Sequence, residues 1–535
     1  MPGSDDATRV RWLDIAERCR PALLSVPLDP VGVVTIDADG AAFQGWRAAR
    51  ASDLSVLYNH VLRNGDSFVL DFGQHLVGYL TLTLRSVKGK VDGPLRLSLM
   101  FGEIPTEVAE NIDPQNAHGI SRAWIQNEII TLDDLSQPIR LPRRYAFQYL
   151  RITLLASSPY FQPQVTRVEA TAVCSAASFD LPPVPPGMPA ELAVLDQISL
   201  RTLRDCMQTV FEDGPKRDRR LWMGDLRLQA LVNYQSFHQD GLVKRCLYLF
   251  AALSRPDGLV TADLYEHPVP VAGDVGLIDY ALLFVATLHD YALATRDHAT
   301  AEDLWPVAAR QLEIGLAACD ADHLFQLEKS PCGPFVDWAP TLDKQTTAHA
   351  ILLYAYVSGI ALAQLLGRTA DALRLQPQHD RLRHAALRLR DPGTGLFISG
   401  PARQVSWSSQ AWMVLAGAVE PSEGARLLMA VMQDPAAVKP GGPYLYHYMV
   451  EALFVSGLPE AATRLLCSYW GAMAQLGANT FWEVFDAQDH RFSPSVCNSP
   501  LLNSYCHAWS STPAYLIRHY IGHPAAAPGV PAVTR

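Results

Sequence analysis

A β-sandwich followed by an (α/α)6 barrel is the fold class this sequence predicts. Three observations lead to it: a β-rich stretch over roughly residues 30–175, a proline-rich break at 176–190, and helical periodicity from there to about residue 521. The chain has 535 residues, 49% of them hydrophobic and 18% charged, which is material for two or three domains with large cores. A formal charge of -10 gives no electrostatic case for nucleic acid or an anionic membrane, so neither is expected as a partner.

The first twenty residues hold no apolar run of signal-peptide type, which predicts a cytoplasmic protein. Apolar runs such as Tyr280 to Ala286 are far short of a membrane span. Nine cysteines, odd in number and with no Cys-x-x-Cys pair, predict free thiols in a reducing compartment. Cys497 and Cys506 lie close in sequence and read as core residues.

Strands are expected at Ser67–Gly73, Val77–Arg85, Leu95–Phe101, Ile129–Leu132 and Phe147–Leu154, where apolar residues alternate between turn residues. Short strands of this kind argue a sandwich rather than βαβ units. Five prolines in 176–190 forbid a regular element and mark the boundary between a domain over 1–185 and a second over 186–525.

Twelve helices are predicted in the second domain, at 190–210, 225–238, 240–254, 276–294, 301–319, 345–365, 374–390, 405–419, 422–434, 443–456, 459–476 and 502–520. Twelve helices suit six hairpins closed into a ring, with an irregular α-solenoid as the alternative. No fixed-period repeat is visible, which counts against TPR or HEAT arrays. Residues 524–535 read as a frayed tail.

Two segments stand out chemically. Residues 213–225 set Asp213, Asp218 and Asp225 among Lys216, Arg217, Arg219 and Arg220, with Arg227 just beyond and Trp222 within. Asp213-Gly-Pro ends one helix and the next starts near Asp225, so this is a loop at a barrel rim. Five basic groups need partners if buried. The segment reads either as an interdomain ion-pair network or as a pocket in which Asp218 is a general acid. Trp222 is either a core residue or a platform under a sugar ring. The second segment, 477–483, ends in Trp482 and Glu483. Glu483 reads either as a cap or as a base activating water; Asp486 is a weaker version. Two carboxylates flanked by aromatics suggest glycosidic bond hydrolysis.

Other polar groups sit at helix connections. Asp337 and Trp338 follow a Pro-Cys-Gly-Pro turn, and Asp274 and Asp279 bracket a helix start, where Asp279 is equally a cap. Tyr265 to His267 form a rim connection, Trp407 and Gln410 start a helix, and His507 reads as a core histidine or a site residue. No cysteine cluster or EF-hand pattern occurs, so no metal site is expected. No P-loop, dinucleotide fingerprint or Gly-x-Ser-x-Gly elbow occurs, so no cofactor is expected.

Together these motifs resemble bacterial α-L-rhamnosidases of glycoside hydrolase family 78, in a compact two-domain form. The likeness also rests on Leu70 to Tyr79 and Arg143 to Arg151, which are similar to the family's Asp-Phe-Gly-Gln and Arg-x-Phe-Arg-Tyr strands. The family reads Asp-Cys-Pro-x-Arg, then Glu-Arg, then Gly-Trp-x-Gly-Asp. Asp213, Pro215, Arg217, Trp222, Gly224 and Asp225 match it, and Gly214 replaces the cysteine. Without a gap Asp218 falls on the glutamate that serves as general acid; the one-residue insertion of other members would put Arg219 there. Asp for Glu shortens the donor by one methylene.

The resemblance implies Glu483 as general base of an inverting reaction, with Asp213, Arg217, Asp225, Asp337 and His507 around the sugar; Asp279, if not a cap, is a further substrate-binding candidate. Trp222, Trp338 and Trp482 would pack on the ring and its C6 methyl, and a rhamnose-containing glycoside or oligosaccharide would be the substrate. It further implies a homodimer as the assembly to expect, and no extra β domain after the barrel. A rhamnosyl-glucuronate lyase, a glycosidase for another α-linked sugar and a noncatalytic rhamnose-binding protein are the alternatives on the same scaffold. Loops 262–275 and 324–345 would set linkage preference.

Overall fold

The computed structural model describes residues 6–110, 124–494 and 499–522. Cys497 and the tail from 524 lie outside them.

The first layer is built from β1 (Leu24–Leu28), β2 (Gly32–Ala38), β3 (Trp46–Ser52), β4 (Ser67–Lys88), β5 (Leu95–Gly102), β6 (Glu128–Leu132), β7 (Ile139–Arg140), β8 (Tyr145–Ala156) and β9 (Gln162–Cys174). All pairings are antiparallel, in the order β1-β9-β4-β8-β5-β6, with β2 and β7 branching from β4 and β3 pairing on β2. The expected strands 67–73 and 77–85 are one continuous strand. Its register shifts between Asp71 and Leu76, where Gly73 takes φ 73° and donates to Asp71 Oδ1. This bulge carries β4 from pairing with β2 to pairing with β9, and it aims His75 at the second domain. Beyond it Leu80, Leu82 and Leu84 face the sandwich core in strict alternation.

A helix the sequence reading did not foresee, α1 (Asp6–Arg18), leaves the sandwich and packs on the barrel. Trp12 and Arg11 both donate to Asp303 there. Two short helices, α2 (Ser55–Tyr58) and α3 (Pro105–Ala109), complete the first domain.

The second domain contains α4 (Ala190–Cys206), α5 (Met223–Tyr234), α6 (Asp240–Ala252), α7 (Ile278–Thr295), α8 (His298–Ala317), α9 (Gln345–Leu365), α10 (Thr369–Leu387), α11 (Trp407–Leu415), α12 (Pro421–Gln433), α13 (Pro443–Val455), α14 (Pro459–Gln475) and α15 (Pro513–Tyr520). Helices α5, α7, α9, α11 and α13 touch in succession, and residues 508–520 close the ring between α13 and α5. The other helices pack outside them. Inner helices are surrounded on all sides, so their sequences are apolar all round rather than striped. This explains why α9, with 21 residues, is long and apolar enough for a membrane span, yet has 78% of its apolar window buried inside the barrel.

The predicted helix 502–520 is corrected. Two 3-10 turns, at Pro500–Leu502 and Ala508–Ser511, precede α15. Between them the backbone N–H groups bond across the fold instead of up a helix. Ser504 donates to Glu483, Tyr505 to Glu103, His507 to the Phe481 carbonyl and Ala508 to the Asp213 carbonyl. Tertiary partners thus override local periodicity.

Candidate active site

Inner helices of the barrel begin at one rim, and a cavity of about 300 Å³ opens there. It is lined by Asp213, Arg217, Asp218, Trp222, Asp225 and Glu483, with His507 and Trp509 from the closing segment. Val275, Leu277, Tyr280, Phe335 and Trp338 complete an apolar wall. Asp225 lies in the first turn of α5, where the helix dipole favours a carboxylate. Trp222 is held by a small sheet of β10 (Leu221–Trp222), β11 (Asp263–Tyr265) and β12 (Val271–Ala272), in register with Asp263.

Arg217 organises the acidic groups. Its Nη1 donates to Asp218 Oδ1 at 3.0 Å and its Nη2 to Glu483 Oε2 at 2.5 Å, while Nε is fixed on the Leu502 carbonyl. Glu483 Oε2 also accepts from Ser504 N at 3.1 Å. Among the described residues Oε1 of Glu483 and Oδ2 of Asp218 carry no hydrogen bond, so both are available to a bound molecule. Burial disfavours charge on Glu483, but Arg217, His507 and the Ser504 N–H outweigh it and hold the carboxyl at about 2.

Asp213 behaves oppositely. Burial, reinforced by the neighbouring charge of Asp218, pushes it up to about 8 against the pull of His507. Its two oxygens accept from the backbone of Arg220 at 3.0 Å and Asp218 at 3.2 Å. Asp225 Oδ2 and His507 Nε2 are 3.3 Å apart, an ion-pair distance without hydrogen-bond alignment. Burial raises Asp225 above the ordinary carboxylate value, with His507 opposing. Burial alone would lower His507, yet Asp225 and Glu483 carry it above its ordinary value.

Three residues expected at the sugar are elsewhere. Asp279 spends its carboxylate on the backbone N–H groups of Phe335 at 3.0 Å and Val336 at 2.7 Å, so it shapes the aromatic wall from behind. Asp337 is buried against the backbone of Gly441 at 2.6 Å and lies outside the cavity lining, with burial raising it to about 7. Trp482 is also outside. In the irregular segment 480–485 its ring stacks on Phe43 of the sandwich, centroids 4.0 Å apart, while Glu483 lines the cavity. Gln410 is tied to the Phe397 backbone, Trp407 packs on Tyr446, and neither lines the cavity.

Tyr280, Phe335 and Trp509 were missed. Tyr280 and Phe335 sit in apolar sequence that reads as ordinary core. Trp509 was placed on a helix that does not form.

One buried group among the described residues, His75, Asp205 and Cys506, brings its ligand atoms within 4.8 Å of one another. Both ring nitrogens of His75 are already engaged, Nδ1 with Asp205 at 2.7 Å and Nε2 with Glu103 at 3.1 Å. Against the cost of burial, Cys506, Asp205 and Glu103 raise His75 well above its ordinary value. A charged imidazolium between two carboxylates is self-sufficient, and the cluster fits a metal poorly. Cys206 and Cys506 have sulfurs 3.9 Å apart, and the eight described cysteines are all free.

Comparison with known proteins bears on this geometry. Residues 30–172 match the glycosyl hydrolase family 78 alpha-rhamnosidase N-terminal domain, and residues 190–521 match the bacterial alpha-L-rhamnosidase 6 hairpin glycosidase domain. A rhamnosidase from Klebsiella oxytoca with rhamnose bound is 43% identical, over 95% of this chain and 98% of that one, with TM-score 0.91. A GH78 family rhamnosidase of Bacillus sp. GL1 is 22% identical over 88% of this chain and 49% of that one, TM-score 0.72. A Streptomyces avermitilis α-L-rhamnosidase complexed with L-rhamnose is 19% identical over 94% and 44%, TM-score 0.69. These last two share the fold. No match was found among curated proteins.

Proposed function

The chain belongs to glycoside hydrolase family 78 and is an α-L-rhamnosidase, and from that premise we propose that it releases terminal L-rhamnose from small glycosides or oligosaccharides with inversion at C1. Asp218 is the general acid and Glu483 the general base. The observation that carries this reading is that both line one sugar-sized cavity and are held by opposite nitrogens of the Arg217 guanidinium.

An inverting hydrolysis needs the two carboxyls about 6.5–9.5 Å apart, so that a water fits beneath C1. Arg217 donates to one oxygen of each carboxyl, which holds the acid and the base on either side of one guanidinium end. Glu483, ionised at neutral pH, takes the proton of the attacking water through its free Oε1. Asp218 donates a proton from Oδ2 to the leaving oxygen as its bond to C1 breaks. Asp213, pushed up to about 8 chiefly by burial, keeps its proton at neutral pH and donates it to a sugar hydroxyl.

Apolar walls select the deoxy sugar. Leu277 and Phe335 carry no hydrogen-bonding side-chain group, so a C6 hydroxyl set against them would be desolvated without a partner, whereas the methyl is not.

The test is hydrolysis of p-nitrophenyl α-L-rhamnopyranoside by the wild type, Asp218→Ala and Glu483→Ala. Turnover should fall about 10²–10⁴-fold in each variant with circular dichroism unchanged. Wild-type rates in both variants would contradict the assignment.

A further inference from the structure

The sandwich domain reaches into the catalytic loop through one buried lysine. Lys216, 5% exposed, donates to Glu107 Oε1 at 2.6 Å and lies 3.1 Å from Glu103 Oε2. It also donates to the Asn503 carbonyl and sits 4.8 Å over the ring of Tyr505. Both glutamates belong to the first domain, Glu103 just after β5 and Glu107 within α3.

Each glutamate is itself immobilised. Glu107 Oε2 accepts from the backbone of Glu103 at 2.6 Å and Ile104 at 3.2 Å. Glu103 accepts from Tyr505 N at 2.7 Å with Oε2 and faces His75 with Oε1. The anchor is therefore rigid, and it grips the barrel at two strands of the site. Lys216 precedes Arg217, and Tyr505 follows Ser504, whose N–H holds Glu483. Arg217 closes the loop between them by donating to the Leu502 carbonyl.

We infer that Glu107, seconded by Glu103, is a positioning residue for the hydrolysis. Through Lys216 it sets where Arg217 and Asp218 stand relative to Glu483. The inference rests on the reading of Asp218 and Glu483 as acid and base. A sandwich serving only as a stabilising platform has no need of two carboxylates buried against Lys216, two residues before Asp218, and against Tyr505, next to the Ser504 that holds Glu483. An arrangement that fixes reacting groups does, because a displacement of 1 Å costs about 10²-fold in rate.

The experiment uses the full chain and p-nitrophenyl α-L-rhamnopyranoside. Glu107→Gln, Lys216→Met and the double variant are assayed beside Asp218→Ala and Glu483→Ala. Glu169→Gln, which removes a sandwich carboxylate paired with Arg167, is the control and should keep the wild-type rate. Each single variant should lower kcat about 10–10²-fold while KM stays within about threefold. The double variant should be no slower than the worse single one, because both cut the same link.

Glu107→Asp keeps the charge and should recover part of the loss. Should Lys216→Met not fold, Lys216→Arg keeps the buried charge with altered reach and carries the same expectation for kcat. A lowered melting temperature with kcat unchanged overturns the inference. So does a double variant whose loss is the product of the single losses. Full rates in Asp218→Ala and Glu483→Ala would instead sink the acid–base reading beneath it. Loss there with wild-type kcat in Glu107→Gln sinks this inference alone.

Discussion

Arg217 and Glu483 form a buried ion pair, Nη2 to Oε2 at 2.5 Å, and the same guanidinium holds Asp218 with its other nitrogen. The pair explains how a carboxylate stays ionised where burial alone would protonate it. Replacing Arg217 by methionine removes the main opposing charge and should raise the Glu483 carboxyl from about 2 toward or above its ordinary 4.5. A general base must be unprotonated, so activity is lost as pH falls through its value. The acid limb of kcat/KM should therefore move upward by at least about one pH unit in Arg217→Met. In profiles recorded from pH 3 to 8 an acid limb should enter the window in Arg217→Met and not in the wild type; a variant profile as flat at its acid end as the wild type would count against Glu483 as the base.

Asp213 titrates in the other direction. Its folded value, about 8, lies above its ordinary 3.8, so the folded state binds the extra proton between these limits. This contribution to stability is fully present below about pH 4 and is lost as pH rises toward 8, at up to about 1.4 kcal/mol per pH unit. Asp213→Asn removes the titration. Its stability should hold between pH 5 and 8 while the wild type declines, as read by urea unfolding at three pH values. Parallel curves would show that Asp213 is ionised throughout.

Trp482 and Trp338 should separate cleanly. Trp482 stacks on Phe43 between the domains, so Trp482→Phe should lower stability by about 1–3 kcal/mol and leave KM within about threefold. Trp338 lines the cavity, and Trp338→Ala should raise KM about tenfold. Thermal melts and initial rates on the same preparations decide it, and a KM effect confined to Trp482 would reverse the two roles.

Much of this arrangement was legible in the sequence. The inner helices announced themselves by long apolar periodic runs, and the charged loop 213–225 by a composition no helix needs. The reading went wrong where distant contacts decide. Residues 502–512 have helical periodicity, yet Glu103, Glu483, Phe481 and Asp213 claim their backbone groups. Trp482 sits beside Glu483, but the segment is irregular, and only its three-dimensional path shows which of the two meets the cavity. Asp279 and Asp337 have the right type and place for sugar contacts, but loop backbone takes both oxygens of Asp279 and Oδ2 of Asp337, whose Oδ1 is buried without a partner among the described residues. Lys216 read as one more rim cation, because its partners Glu103 and Glu107 lie more than a hundred residues earlier.

Inversion is the central claim, and the anomer released first tests it most directly. Proton NMR of p-nitrophenyl α-L-rhamnopyranoside during the first minutes of hydrolysis should show β-L-rhamnose appearing ahead of the α form, which then grows by mutarotation. α-L-Rhamnose appearing first would mean retention, with a covalent intermediate, and would contradict the roles given to Asp218, Glu483 and the guanidinium between them.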